Sequence, residues 1–213
     1  MNHPLQIVDV GLALGEARFR FSLDVADDVP HVLLGRSGSG KTTLAERLAD
    51  ALPGAAVVHT DDVAWHHSFF DWQGPLIEHV LEPFRARDAV RWRPVPWIER
   101  GRPGAIVVPD GCSPLIVEGA GASRDELAPY LDARVWVASD PSIARAREID
   151  RDGDAPETLA FIEEWAESER AFFAAREPWT LADLIVCGTP EAAVPDGQLL
   201  VGTRSDAPGH TPP

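Results

Sequence analysis

One segment concentrates the chemistry: Gly35-Arg36-Ser37-Gly38-Ser39-Gly40-Lys41-Thr42-Thr43 fits the pattern G-x-x-x-x-G-K-[ST]. Glycines let the backbone turn until several N–H groups converge on one point, and the helix that follows adds its positive end there. Such a nest attracts phosphate. Within it Lys41 would reach the β- and γ-phosphates of a nucleoside triphosphate, and the Thr42 hydroxyl would ligate magnesium. Lys41 is the only lysine in a chain whose other cationic side chains are arginine and histidine. A lysine kept at that one place points to a task for a compact ammonium. The expected cofactors are ATP, with GTP as the alternative, and Mg2+.

A phosphate cradle alone does not choose between a kinase, a GTPase and a transport ATPase. A transport ATPase also needs a Leu-Ser-Gly-Gly signature and a strand ending in Asp-Glu, and the chain has neither. The guanine-reading Asn-Lys-x-Asp needs a second lysine. Phosphoryl transfer to an acceptor needs a base for the acceptor hydroxyl, a further carboxylate for magnesium and cations to cover the moving charge. Asp61-Asp62 follow the apolar run Ala55–Thr60, and Glu118-Gly119 follow Leu115–Val117. An arginine-rich stretch, Arg145, Arg147 and Arg151 with Asp152, precedes Gly153 as a hinge candidate.

Structural readings compete with each of these. Asp61 and Asp62 could cap a helix, and the arginines could form a solvated face paired with Glu148 and Asp150. His59, His66 and His67 fit no common metal spacing. Trp65, Phe69, Phe70, Trp72, Trp92 and Trp97 crowd one third of the chain, as core or as the lining of an acceptor pocket.

The elements that must position these groups alternate. Strand candidates are His31–Gly35, Ala55–Thr60, Ala105–Pro109, Leu115–Glu118, Ala133–Ala138 and Leu184–Cys187, mostly continuous apolar runs of the kind covered on both faces. Helix candidates are Lys41–Leu52, Pro75–Arg87, Ser123–Leu131, Pro141–Asp150 and Pro156–Arg176. In the last, Leu159, Ile162, Trp165, Ala166 and Phe173 recur at helical spacing. Strands alternating with helices predict an α/β domain with a mostly parallel sheet of about five strands. Residues 1–30, with Ala17, Phe19, Phe21, Leu23 and Val25 alternating, predict a β-ribbon-like extension, residues 31–188 the main domain, and 189–213 an extension ending in a disordered tail.

Taken together, the chain over about residues 31–188 resembles the uridine kinase/phosphoribulokinase branch of P-loop kinases. The resemblance implies a three-layer α/β/α P-loop fold and a cytoplasmic small-molecule kinase. It makes Asp61 the base with Asp62 beside it, Glu118 a magnesium ligand, and Arg147 and Arg151 the lid cations. Ala182-Asp183-Leu184-Ile185-Val186 is similar to the family's last core strand. Asp71-Trp72 resembles the turn that meets the sugar in nucleoside kinases. The segment Pro94–Arg100, where the family often carries a Tyr-Asp pair, holds Trp97 instead. Asp62, Asp71, Trp72 and Trp97 are therefore the expected acceptor contacts.

The formal net charge of −15 argues against a nucleic-acid partner, which calls for a basic surface. No apolar run approaches the length of a membrane span. Cys112 and Cys187 stand far apart, as two free thiols of a reducing cytoplasm would. Three readings stay open: a uridine-kinase-like enzyme, a kinase for a sugar or vitamin precursor, and a nucleotide-driven switch without an acceptor.

Overall fold

The computed structural model describes residues 31–190 and 199–202. The expected N-terminal ribbon and the disordered tail lie outside the described residues. Within them the chain runs β1 (His31–Gly35), α1 (Lys41–Ala51), β2 (Ala56–His59), α2 (Thr60–Ala64) and α3 (Gln73–Leu76). It continues through a π-helical turn (Ile77–Leu81) into α4 (Glu82–Arg85), then β3 (Val90–Trp92), α5 (Val95–Glu99), β4 (Ile106–Val108) and β5 (Leu115–Glu118). A 3-10 turn (Asp125–Tyr130) leads to β6 (Ala133–Ala138), α6 (Pro141–Asp152) and α7 (Pro156–Arg176), and a second (Pro178–Leu181) leads to β7 (Leu184–Cys187) and β8 (Val201–Gly202).

Among the described residues the main sheet has six strands in the order β2-β5-β1-β6-β7-β8. The first five run parallel, and β8 joins β7 antiparallel. Side chains alternate across a strand, so neighbouring residues feed different cores. Leu115 and Val117 of β5 join Val58, Trp136 and Phe173 in one apolar cluster. Ile116 joins Val135, Val137, Leu184 and the α1 residues Leu44 and Ala45 in another. Continuous apolar strands are thus the signature of two cores, one on each face.

Two expectations are corrected. The run Ala105–Pro109 is not part of the main sheet: Ile106–Val108 pairs antiparallel with Val90–Trp92 in a separate two-stranded ribbon. Its Val107 is 45% exposed between buried Ile106 and Val108, so only one face is covered. Ser123–Leu131 forms a 3-10 turn rather than an α-helix, and Pro129, which has no N–H to donate, lies inside it.

α6 shows how local chemistry starts an element. The Asp140 carboxylate accepts from the N–H groups of Ser142 and Ile143 at 2.8 and 3.0 Å, and Pro141 opens the first turn. Among the described residues no helix is long and apolar enough to cross a membrane.

Candidate functional site

β2, β5 and β1 are neighbours, and their carboxyl ends place three chemical elements along one edge of the sheet. β1 leads into the phosphate loop, β5 ends in Glu118, and β2 leads into α2 with Asp61 in its first turn. Gly38 and Gly40 have φ of 70° and 96°, which side-chain-bearing residues adopt with strain. Gly38 has a second reason to be glycine, because a Cβ there would run into the Ala144 carbonyl of α6. The Ser39 N–H donates to the Arg36 carbonyl at 3.2 Å, and the Leu44 N–H donates to Gly40 at 3.0 Å as α1 begins.

Lys41 is buried, its ammonium folded back to donate to the Arg36 carbonyl at 3.0 Å. Thr42 and Thr43 are exposed on the first turn of α1. The Ser37 N–H donates to Oε1 of Glu169, on α7, at 2.8 Å. Glu169 is buried beside the loop. The sequence reading missed it, although a signal existed: it falls on the Ile162, Trp165, Ala166, Phe173 stripe, where a charge is out of pattern.

Neither Asp61 nor Asp62 caps α2, whose N-cap position is His59 with no side-chain cap bond. Asp61 is open to the cavity but flanked by protein that excludes much of the surrounding water. That desolvation pushes its carboxyl above the ordinary range; Lys41, His59 and Arg151 oppose the rise and Glu118 adds to it. Glu118 is buried and shares a 2.7 Å hydrogen bond with Nδ1 of His59, its register partner on β2. This bond holds the imidazole above its usual pKa despite partial burial. Gly119 lets β5 and α2 pass closely, since a Cβ there would overlap the Thr60 hydroxyl.

Magnesium takes hard oxygen donors, commonly one or two from protein, the rest from phosphate and water. The Thr42 hydroxyl, on the first turn of α1, and the buried Glu118 carboxylate, at the end of the neighbouring strand β5, are of that kind.

A cavity of about 380 Å³ opens between the loop and the α6–α7 hairpin. Ser37, Lys41 and Asp61 line one part with Glu148, Arg151 and Asp152; Trp65, Phe69, Phe161 and Trp165 line another. Phe69 meets Phe161 and Trp165 edge to face at 5.9 and 5.0 Å, which ties the segment after α2 to α7. Of the expected lid cations, Arg151 reaches this cavity, held in a bidentate pair with Asp152 at 2.7 Å. Arg147 is exposed and donates instead to the Gly188 carbonyl at 2.9 Å, beyond β7. Arg145 pairs with Glu148 and Glu163.

The expected acceptor residues Asp62, Asp71, Trp72 and Trp97 do not line that cavity. Asp62 pairs with Arg102, and its carbonyl accepts from the Trp97 indole at 2.9 Å. The Arg102 guanidinium lies 3.7 Å from the Trp97 ring centre and 5.1 Å from that of Trp65. These residues brace α2 and the Trp65 wall from behind. Trp72 has no exposed surface; its indole donates to the Phe69 carbonyl at 3.0 Å. Arg124 covers the Trp72 ring at 4.4 Å and donates to Gly121, Phe70 and Gln73. Burial pushes the Arg124 pKa down to about 10, with Glu126 and Asp71 opposing the fall. Asp71 is exposed and accepts from Gln73. Trp72 and Trp97 serve as core, and the cavity wall is formed by Trp65 and Phe69 and completed from α7 by Phe161 and Trp165.

No protein-family model matches the chain, and no curated protein matches it. Solved structures do. One, from Bacillus stearothermophilus and described as a possible uridine kinase, is 21% identical with a TM-score of 0.51, covering 76% of this chain and 90% of that one. Another, from Silicibacter sp. TM1040 and provisionally described as a fructose transport system kinase, is 19% identical with a TM-score of 0.51, covering 73% and 89%. The chain shares the fold of these two structures.

Proposed function

We propose that this chain is an ATP-dependent, magnesium-requiring kinase that phosphorylates a hydroxyl of a small molecule. One observation carries the reading: the phosphate-loop residues Ser37 and Lys41 line the same cavity as the Asp61 carboxyl. A switch that only hydrolyses nucleotide needs no such carboxyl beside a second, aromatic compartment.

In this reading the loop amides and Lys41 hold the nucleotide phosphates, with Thr42 and Glu118 offering oxygens to magnesium. Magnesium held there would offset the negative charge of the phosphates. Asp61 orients the acceptor hydroxyl and takes its proton, and a carboxyl raised above the ordinary range is better matched to that task near neutral pH. Arg151 covers the transferring group from α6. The aromatic wall excludes water, which would otherwise compete as acceptor. Among acceptors, the rings of Trp65, Phe69, Phe161 and Trp165 favour one with a flat ring, as in a nucleoside, over a bare sugar.

Asp61→Asn tests the assignment. Turnover with a pool of nucleosides and sugars should fall about 10²- to 10⁴-fold, while ADP affinity measured by calorimetry stays within about threefold. Full turnover in the variant would remove Asp61 from the chemistry. In the wild type the acid limb of the rate profile should lie above the range of an ordinary aspartate, because the rate rises as Asp61 ionises.

A further inference from the structure

The phosphate loop is built to receive an anion, and in this structure a carboxyl group of the protein's own already occupies one of its amides. The Ser37 N–H donates to Oε1 of Glu169 at 2.8 Å across 132 residues of sequence. Ser37 is the third residue of the loop, in the run of amides that phosphate oxygens would use. Glu169 is 5% exposed, so it is a fixed part of the loop's surroundings rather than a passing surface side chain.

The charges facing it come from every neighbouring element. Lys41 on α1 and Arg36 in the loop favour its ionised form, Glu148 on α6 opposes it, and the Ser37 amide favours it. Desolvation outweighs these and pushes the carboxyl up to about 7. Lys41 spends its hydrogen bond on the Arg36 carbonyl.

Two anions cannot share one amide without strong repulsion in a site shielded from water. Once phosphate is seated, the ionised carboxylate is opposed and the neutral acid is favoured. Resting on the kinase reading above, we infer that Glu169 is a proton-linked member of the phosphate site: ionised, it competes with nucleotide phosphate for the Ser37 amide, and protonated, it yields that amide and donates to a phosphate oxygen. The proton comes from solvent and returns to it on release of the nucleotide. Glu169 is thus a positioning and affinity-setting residue, with no bond made or broken at its carboxyl. It also lies on the helix that carries Phe161 and Trp165, which links occupation of the donor loop to the aromatic wall.

The test is calorimetric titration of ADP and of inorganic pyrophosphate into the full chain, with magnesium, from pH 5.5 to 8.5. Wild-type affinity should weaken as pH rises above about 7, approaching tenfold per pH unit for one linked proton. Glu169→Gln, whose neutral amide can still donate, should bind at pH 8.5 at least about tenfold more tightly than wild type and lose that component of the slope. The ligand's own ionisation enters both proteins equally, so the difference belongs to Glu169.

Repeating the wild-type titration at pH 8 with ADP, whose phosphates are already fully ionised there, in buffers of different ionisation enthalpy reads proton uptake by the protein directly and does not depend on how the variant folds. Net uptake supports the inference. Binding without uptake, or the same pH profile in both proteins, overturns it while leaving the kinase reading intact. Absence of ADP binding at every pH overturns both.

Discussion

The loop side and the aromatic side of the cavity, the donor and acceptor sides in the proposed reading, are built in opposite ways. The loop is a single contiguous string, Gly35 to Thr43, which presents backbone amides and one ammonium. The acceptor side is assembled from Ala64, Trp65, His66 and Phe69 after β2, and from Phe161 and Trp165 nearly a hundred residues later on α7. Phosphate is the same group in every nucleotide, so its recognition can be written into one turn of main chain. An acceptor is particular, and its recognition uses side-chain surfaces brought together by packing. Damage to the first side should abolish donor binding; damage to the second should change acceptor preference or the stability of the wall.

The largest effect is expected at Lys41. Lys41→Ala should lower turnover by about 10²- to 10³-fold or more, with a parallel loss of ADP affinity, since the charge on the phosphates loses its direct partner. Calorimetric ADP binding equal to wild type would break the loop half of the comparison. Next is Trp72→Ala, behind the acceptor wall. It should cost about 3–5 kcal/mol of stability in urea denaturation, the range for a buried aromatic truncation. It also strips the surface on which the Arg124 guanidinium rests. Normal stability with a changed acceptor profile would return Trp72 to the binding residues. The smallest effect is expected at Trp165→Leu. Loss of one ring from the wall should raise the acceptor KM about tenfold, worth roughly 1.4 kcal/mol, and leave ADP affinity unchanged. An altered ADP affinity there would show that α7 couples the two sides more tightly than its ring contacts alone suggest.

What the sequence revealed follows the same division. The parallel strands were legible because burial on both faces leaves nearly uninterrupted apolar runs, as in Leu115-Ile116-Val117. The separate ribbon of β3 and β4 was not, because a three-residue apolar run such as Ile106-Val107-Val108 reads the same in either sheet. Asp61 and Glu118 stood out as carboxyl groups directly after apolar strands. Trp72 and Trp97 were misplaced as acceptor contacts because an aromatic residue carries no mark of whether it faces a ligand or a neighbour. Here, the neighbours are Arg124 and Arg102, distant in sequence. Glu169 was marked as a charge on the apolar stripe of α7, but its partner was not legible, being a loop amide 132 residues away.

The hairpin over the loop touches it in two different materials. α7 reaches it with a side chain, the Glu169 carboxyl, through a hydrogen bond from the Ser37 N–H. α6 meets it main chain to main chain, with Gly38 lying against the Ala144 carbonyl and no room for even a methyl group between them. Side chains adjust by degrees of torsion, whereas backbones in contact can only stay or part. A single methyl group added at position 38 would therefore act as a wedge between the loop and α6, on the side where main chain meets main chain.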